Sequence, residues 1–481
     1  MKLDKLLKSI NAEKIIGKTD IEIENICADS RLVTKNSLFI CLNGVDVDGH
    51  TFIRQAEFYG ACAVVCEKQL DTALTQIIVK DSRSVMSELA SVFFGLADKK
   101  LSVIGVVGTN GKTSTARIIY EILNKCDVKT ALIGTLGTFY GKKFIEPTLT
   151  TPDPIELHKQ FKEMVDNGIK VVVMEVSAHA LYFDKIKGIN FTAGVFTNFS
   201  QDHLDFFKNM EEYKSAKLKF FKEYDCKYVI TNSDDEVGRE ISKISKNSIS
   251  YGIENPADVF AIDIDEKLDG TNFVINLFDM IYNVNINLIG RFNVYNVMAA
   301  ATTATLLGFK SDKIIKSINT IKSVSGRLEK VYDGKFSVFI DYAHTPDGLK
   351  KALMSLKNIC RGRLFCVFGC GGNRDKGKRK KMGRISGEIS DFSIITTDNP
   401  RYEEPMDIIS EIEKGMLEVS KQYVLVQDRT DAIEYALKKV KENDMILIAG
   451  KGCENYQEIL GIKRMYNDKD TVEELIRSNG L

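Results

Sequence analysis

The sequence has no run of about 18 apolar residues, so no segment of it reads as a bilayer-spanning helix. Its first residues, MKLDKLLKSI, carry charges at helical spacing where a signal peptide would carry an apolar core. A cytoplasmic protein without a membrane partner is expected. Net charge is absent too: 66 basic side chains balance 66 acidic ones, and no global field draws the chain to nucleic acid. Any anion site must therefore be built locally. Zinc-ribbon spacing is missing among the 10 cysteines, whose closest pairs, Cys62/Cys66 and Cys366/Cys370, stand without a second matching pair. Reduced, mostly buried thiols are the expectation. Internal repeats and low-complexity tracts are lacking, and only 7 prolines interrupt the 481 residues.

What is present has the balance of a packed globular enzyme, with 44% apolar and 27% charged residues. The length suggests roughly three domains of about 150 residues each. All three read as α/β. In the first, residues 1–98, strand-like runs at 21–27, 37–42 and 76–79 alternate with helical stretches at 52–59 and 85–96. The charges Asp98, Lys99 and Lys100 mark a break. The second, 99–325, opens on the strand LSVIGVVG and continues with apolar strands at 170–175, 191–197 and 227–231, the pattern of a parallel sheet covered on both faces. Within it, residues 257–289 alternate at period two about Asp269-Gly270, which predicts an antiparallel meander. The third, 326–481, has strands near 337–340, 364–368, 393–396 and 445–449.

The strand before Gly108 runs directly through Thr109, Asn110 and Gly111 into a helix beginning Lys112, Thr113, Ser114. Backbone N–H groups and a helix dipole at such a turn bind phosphate. Lys112 adds a charge for the β- and γ-phosphates, and the Thr113 hydroxyl suits the Mg²⁺ that phosphates bring. The first glycine lies closer to Gly111 than in the standard P-loop, which would put it at Val106. An ordinary glycine turn has no need of the consecutive Lys and Thr. Glu175 and His203 stand at or just past the carboxyl ends of strands, the edge where open α/β sheets bind ligands. Beside a phosphate loop, these two hard ligands suggest a Mg²⁺ site.

The order of motifs resembles the Mur ligases, specifically the type that adds the third residue of the cell-wall peptide. They include DSR at 29–31, DGHTF at 48–52, GTNGKTST at 108–115, LTTPDP at 149–154, MEVSAHAL at 174–181, TNFSQDHLD at 197–205 and YKSAKLKFF at 213–221. GRFNVYNVMAA at 290–300, GRLE at 326–329, DYAHTPD at 341–347, FGCGGNRDKGKR at 368–379, TDNPRYEEP at 397–405 and AGKGCENYQ at 449–457 follow. The resemblance implies an N-terminal UDP-binding domain, a central P-loop-type parallel-sheet ATPase domain and a C-terminal Rossmann-like domain for the amino acid. Lys217 matches the family's carbamylated lysine (N6-carboxylysine), which would join Thr113, Glu175 and His203 as metal ligands. By itself, Lys217 reads as a solvated helix residue. Asn293, Asn296, Arg327, Asp341 and His344 match nucleotide-contacting positions. Ser30, Thr150, Thr151, Ser177 and Lys185 match those that hold the UDP-sugar peptide. Departures from the family pattern stand at Ala178, at Lys185 in place of an arginine, and at Cys453 in place of a histidine.

The activity so implied is ATP-dependent ligation of an amino acid to UDP-N-acetylmuramoyl-L-alanyl-D-glutamate through an acyl phosphate, in peptidoglycan synthesis that supports cell shape and division. Catalysis would use Lys112, Glu175, His203 and Lys217, with Mg²⁺ and ATP, in a monomer. The resemblance further places meso-diaminopimelate against Arg374, Asp398, Asn399, Pro400, Arg401, Gly450 and Glu454. Only this amino acid, unlike L-lysine, brings a distal carboxylate, which a guanidinium such as Arg401 grips bidentately. The same reaction with L-lysine, another ligase of the fold, and a nucleotide-binding module without turnover are the alternatives.

Overall fold

The computed structural model describes residues 1–44 and 47–480 and divides into two compact units. One comprises Met1–Val107, Asp127–Val195 and Ala216–Val229; the other comprises Gly108–Cys126, Phe196–Ser215 and Ile230–Leu481.

The first unit opens with a five-stranded sheet whose centre is Ala61–Cys66, an apolar strand absent from the sequence reading. It is flanked by Ser37–Ile40 and Thr75–Ile78, both parallel to it. The run expected from residue 21 forms a strand only over Asn25–Cys27, and Lys14–Ile16 adds an antiparallel edge. The helix Ser82–Phe93 starts at Asp81, whose carboxylate caps the N–H groups of Arg83 and Ser84, and buries Val85, Met86 and Leu89. Asp98, read as part of a charged break, is buried and accepts from Ser91 Oγ at 2.5 Å. In a larger, 11-stranded sheet, six strands run in the order Phe191–Phe196, Ser102–Val107, Val171–Glu175, Thr130–Gly134, Gly137–Tyr140 and Lys143–Ile145. Val171–Glu175 is parallel to both neighbours, with Glu175 opposite Val106 at the carboxyl edge. The near-continuous Val run of this strand reflects burial on both faces.

In the second unit the predicted meander is Val259–Lys267, Gly270–Leu277 and Met280–Ile286, all antiparallel. Its middle strand alternates buried and half-buried residues, the physical content of the period-two pattern. The C-terminal sheet has the order Glu329–Asp333, Ser337–Asp341, Met445–Ala449, Leu364–Phe368, Phe392–Ile395 and Tyr423–Leu425. All but the first pair are parallel, and the four strands at the centre match the predicted runs. Apolar side chains of this sheet pack on both faces, one against Leu353, Met382 and Ile409, the other against Ile433 and Val472. The strand ends Asp341, Phe368, Ile395 and Ala449 lead into the loops that carry the DYAHTPD, GGNRD, DNPR and GKGCE motifs. A short hairpin, Tyr456–Ile459 with Ile462–Met465, completes that edge. Among the described residues no helix is long and apolar enough to cross a membrane.

Candidate active site

The phosphate turn is built by contacts that only glycine permits. A Cβ on Gly108 would meet Thr197 Oγ1 at 1.8 Å, and one on Gly111, at φ +82°, would meet Asn296 Oδ1 at 2.7 Å. The segment 197–200 braces the loop from the side. Asn110 N donates to Asn198 Oδ1 (3.0 Å), while Thr197 Oγ1 and Asn198 Nδ2 donate back to the Asn110 carbonyl (2.7 and 3.0 Å). Helix Lys112–Lys125 begins at once, so Lys112, Thr113 and Ser114 form the first turn, whose N–H groups suit an anion. The Lys112 ammonium lies on the carbonyls of Gly108 and Thr109 (3.0 and 2.8 Å).

Arg327 donates through Nη2 to Thr113 Oγ1 at 2.9 Å and lies 4.6 Å over the Tyr342 ring. A guanidinium thus stands at the hydroxyl expected to serve a metal. Asn293 and Asn296 are buried on helix Arg291–Leu306. Their amides bond to the Ile289 carbonyl, to each other and to Thr115 Oγ1, bracing the phosphate helix from behind. Asp341 is buried and pushed up to about 6, because burial outweighs Arg327 and the Leu328 N–H that it accepts at 2.6 Å. His344 donates through Nδ1 to the Tyr342 carbonyl (2.8 Å), which leaves Nε2 3.8 Å from Asp202. His203, at φ +55°, presents Nε2 to the same carboxylate at 3.4 Å. Burial alone would raise Asp202, but His344, His203 and Lys378 hold it well below the usual carboxylate range.

The strand Phe392–Ile395 leads into the DNPR turn, and there the expected amino-acid residues converge. Asn399 donates through Nδ2 to Glu454 Oε2 at 2.9 Å. Gly450, at φ +118°, lies where a Cβ would approach Asp398 Oδ2 to 2.5 Å. That oxygen is buried and accepts no hydrogen bond, while burial of the carboxylate is outweighed by Lys451 and Arg429, which keep it low. Arg401, at φ +54°, donates through Nη1 to the Gly372 carbonyl (2.9 Å) and pairs through Nε with Glu458 (3.1 Å). Pro400 packs its carbonyl where a Cβ on Gly372 would sit. Arg374, on the same glycine loop, stands 3.7 Å from Asp205.

The remaining expected residues belong to the first unit. Glu175 is buried; its Oε1 accepts from Thr135 N (2.8 Å), and Gly134 leaves it room, a Cβ there lying 2.2 Å away. Lys217 is 1% exposed, which overturns its reading as a solvated helix residue. Thr151 Oγ1 donates to the Glu175 carbonyl and accepts from Ser177 N (2.9 and 3.0 Å), and Thr150 meets Thr135 at 3.2 Å. Lys185 pairs with Asp153 at 2.7 Å, and the Ser30 hydroxyl donates to Gln55. Among the described residues no three His, Cys, Asp or Glu side chains converge for a metal ion. A carbamate on Lys217 would present oxygen donors of the hard kind that Mg²⁺ takes.

Several residues of this architecture did not stand out in the sequence: Asp202, Tyr342, Arg379, Lys451 and Glu458. Four of them lie inside quoted motifs and Glu458 just past one, so position was the available signal, but a motif does not say which member is buried.

A protein named UDP-N-acetylmuramoyl-L-alanyl-D-glutamate--2,6-diaminopimelate ligase from Alkaliphilus metalliredigens (strain QYMF) is 42% identical over 100% of this chain and 99% of its own. Three family models match as well: the Mur ligase family catalytic domain at residues 22–94, the Mur ligase middle domain at 106–304 and the Mur ligase glutamate ligase domain at 326–452. The chain belongs to the Mur ligase family. A relative of the same name from Bacillus velezensis is 41% identical over 95% of each chain. A solved structure of a protein so named matches with TM-score 0.73 and 30% identity, covering 100% of this chain and 99% of that one. The MurF ligase of Thermotoga maritima in complex with ADP shares the fold at TM-score 0.66 and 19% identity, covering 94% and 97%.

Proposed function

We propose that this protein is the ATP-dependent ligase that joins meso-diaminopimelate to UDP-N-acetylmuramoyl-L-alanyl-D-glutamate in the cytoplasm, as a monomer. The observation that carries the reading is the DNPR turn: Arg401 is held by Gly372 and Glu458 on the same turn as Asn399, whose amide bonds Glu454. A guanidinium at one end and carboxylates at the other complement a substrate that ends in a carboxylate beside an ammonium. The full-length relatives bearing the diaminopimelate name support it.

In this reading the D-glutamyl carboxylate attacks the γ-phosphorus of ATP and ADP leaves. The diaminopimelate amine then attacks the acyl-phosphate carbon, loses a proton, and phosphate departs as the amide forms. Lys112 and the N–H groups of Gly108 to Ser114 hold the phosphates, and Arg327 and His344 add cationic or donor groups. Positioning and charge neutralisation carry such a step, with no protein nucleophile. Thr113, Glu175, His203 and carbamylated Lys217 would hold Mg²⁺, which when bound offsets the repulsion between carboxylate and phosphate. Ser30, Thr150, Thr151, Ser177 and Lys185 would bind the UDP-sugar peptide, Lys185 offering a single ammonium and no bidentate fork. The segments 1–98, 99–325 and 326–481 are the UDP, ATP and amino-acid parts of this reading.

Phosphate release with and without each substrate, and mass spectrometry of the product when diaminopimelate and lysine compete, test it. Predominant lysine incorporation, or phosphate release indifferent to the UDP-dipeptide and amino acid, overturns it.

A further inference from the structure

Lys451 is 0% exposed, and nothing in the proposed chemistry uses it. Its ammonium donates to Asn399 Oδ1 and to Glu454 Oε2, both at 3.0 Å. The Glu458 N–H donates to the same Asn399 oxygen at 2.9 Å. Lys451 and a backbone amide can only donate, so the Asn399 oxygen must face them and its NH₂ must face Glu454. Glu454 Oε2 therefore receives two donors. Among the described residues its Oε1 receives only the Tyr342 hydroxyl, at a long 3.4 Å, and so keeps capacity for a further cation.

We propose that Lys451 is a positioning residue for the incoming diamino acid, holding Asn399 and Glu454 so that Oε1 of Glu454 is turned to the substrate ammonium. This rests on the reading of the DNPR pocket as the amino-acid site. The role requires a compact ammonium: one nitrogen reaches an amide oxygen and a carboxylate at equal distance, from a position without water. Arg429, the other buried cation of this neighbourhood, is committed to Asp468 through two bonds of 2.7 and 2.8 Å and cannot substitute. Without Lys451 the Asn399 oxygen keeps only the Glu458 N–H, and Glu454 Oε2 keeps only the Asn399 amide, so the carboxylate loses the charge that fixes it.

Steady-state kinetics on the full-length enzyme carrying Lys451→Met, and separately Lys451→Gln, test this. The KM for meso-diaminopimelate is expected to rise about 30-fold in Lys451→Met, with the KM values for ATP and UDP-dipeptide within about twofold, the pattern of truncating one partner of a buried pair. Lys451→Gln, which keeps a donor for Asn399 but no charge for Glu454, is expected to fall between; it carries the test alone if the methionine variant does not fold by circular dichroism. A purely structural lysine would move all three constants or none. An unchanged amino-acid KM in a folded variant, beside an active wild type, overturns this inference alone; a wild type without diaminopimelate-dependent turnover overturns the function reading with it.

Discussion

Arg379→Met is the perturbation that most directly asks what holds the GGNRD and DNPR loops together. The Arg379 guanidinium is 0% exposed, grips Glu403 through two bonds of 2.9 Å, bonds Glu411 at 2.9 Å and reaches the Gly371 carbonyl at 3.3 Å. Glu403 in turn accepts from Asn373 N, so the glycine loop and the segment after DNPR share one cation. Methionine replaces the stem with comparable apolar bulk, which leaves the charge as the main loss. Breaking a buried ion pair costs about 3–5 kcal/mol. Glu411 is 33% exposed and Glu403 18%, so both carboxylates recover water, and the low end, about 3 kcal/mol, applies. Urea unfolding of the full chain at neutral pH measures it. The pH dependence supplies a second check, because Arg379 first of all holds Glu403 down at about 2 against an ordinary 4.5. A depressed folded value means that the pair's contribution is complete above the ordinary value and is lost as pH falls toward about 2. The gap between wild type and variant should thus be flat from neutral pH to about pH 5 and close below it. A neutral-pH difference under about 1 kcal/mol, the size of a surface pair, would refute the reasoning.

Two further outcomes are expected. His158 is buried and pushed down to about 4, since loss of hydration outweighs the attraction of Asp98 and Lys99 opposes protonation as well. The unfolded chain then takes up a proton first as pH falls below about 6.5, so roughly 2–3 kcal/mol of stability should disappear between there and about pH 4. His158→Gln should lose that slope in thermal midpoints taken across the range, and parallel curves for the two proteins would rule it out. Lys217→Ala should abolish turnover and recover part of it when acetate or formate supplies the missing carboxylate. Full activity in the plain variant would deny the lysine the metal-holding role proposed for it.

Local chemistry made much of the scaffold readable. Apolar runs such as Leu364–Phe368 and Met445–Ala449 are strands buried on both faces, and nothing but a parallel sheet interior accommodates them. The strand Ala61–Cys66 was missed although it is central, because a run of alanine, valine and cysteine between two helical patterns has no period of its own. The edge strands Glu329–Asp333 and Tyr423–Leu425 were missed for a related reason: an edge strand is half exposed, and its side chains carry no strong signature.

The sequence by itself determined the phosphate turn, since Gly108, Gly111, Lys112 and Thr113 state a backbone shape and a charge within a few residues. It likewise determined the meander, through strict alternation, and the cation of DNPR. Tertiary structure alone decided that Lys217, Arg379 and Lys451 are buried, and that Arg401 answers to Glu458 and Arg327 to Thr113. A lysine or arginine looks the same to its sequence neighbours whether water or a carboxylate from elsewhere in the fold receives it. Only the packed chain brings that carboxylate within hydrogen-bond range and removes the water that would otherwise screen it.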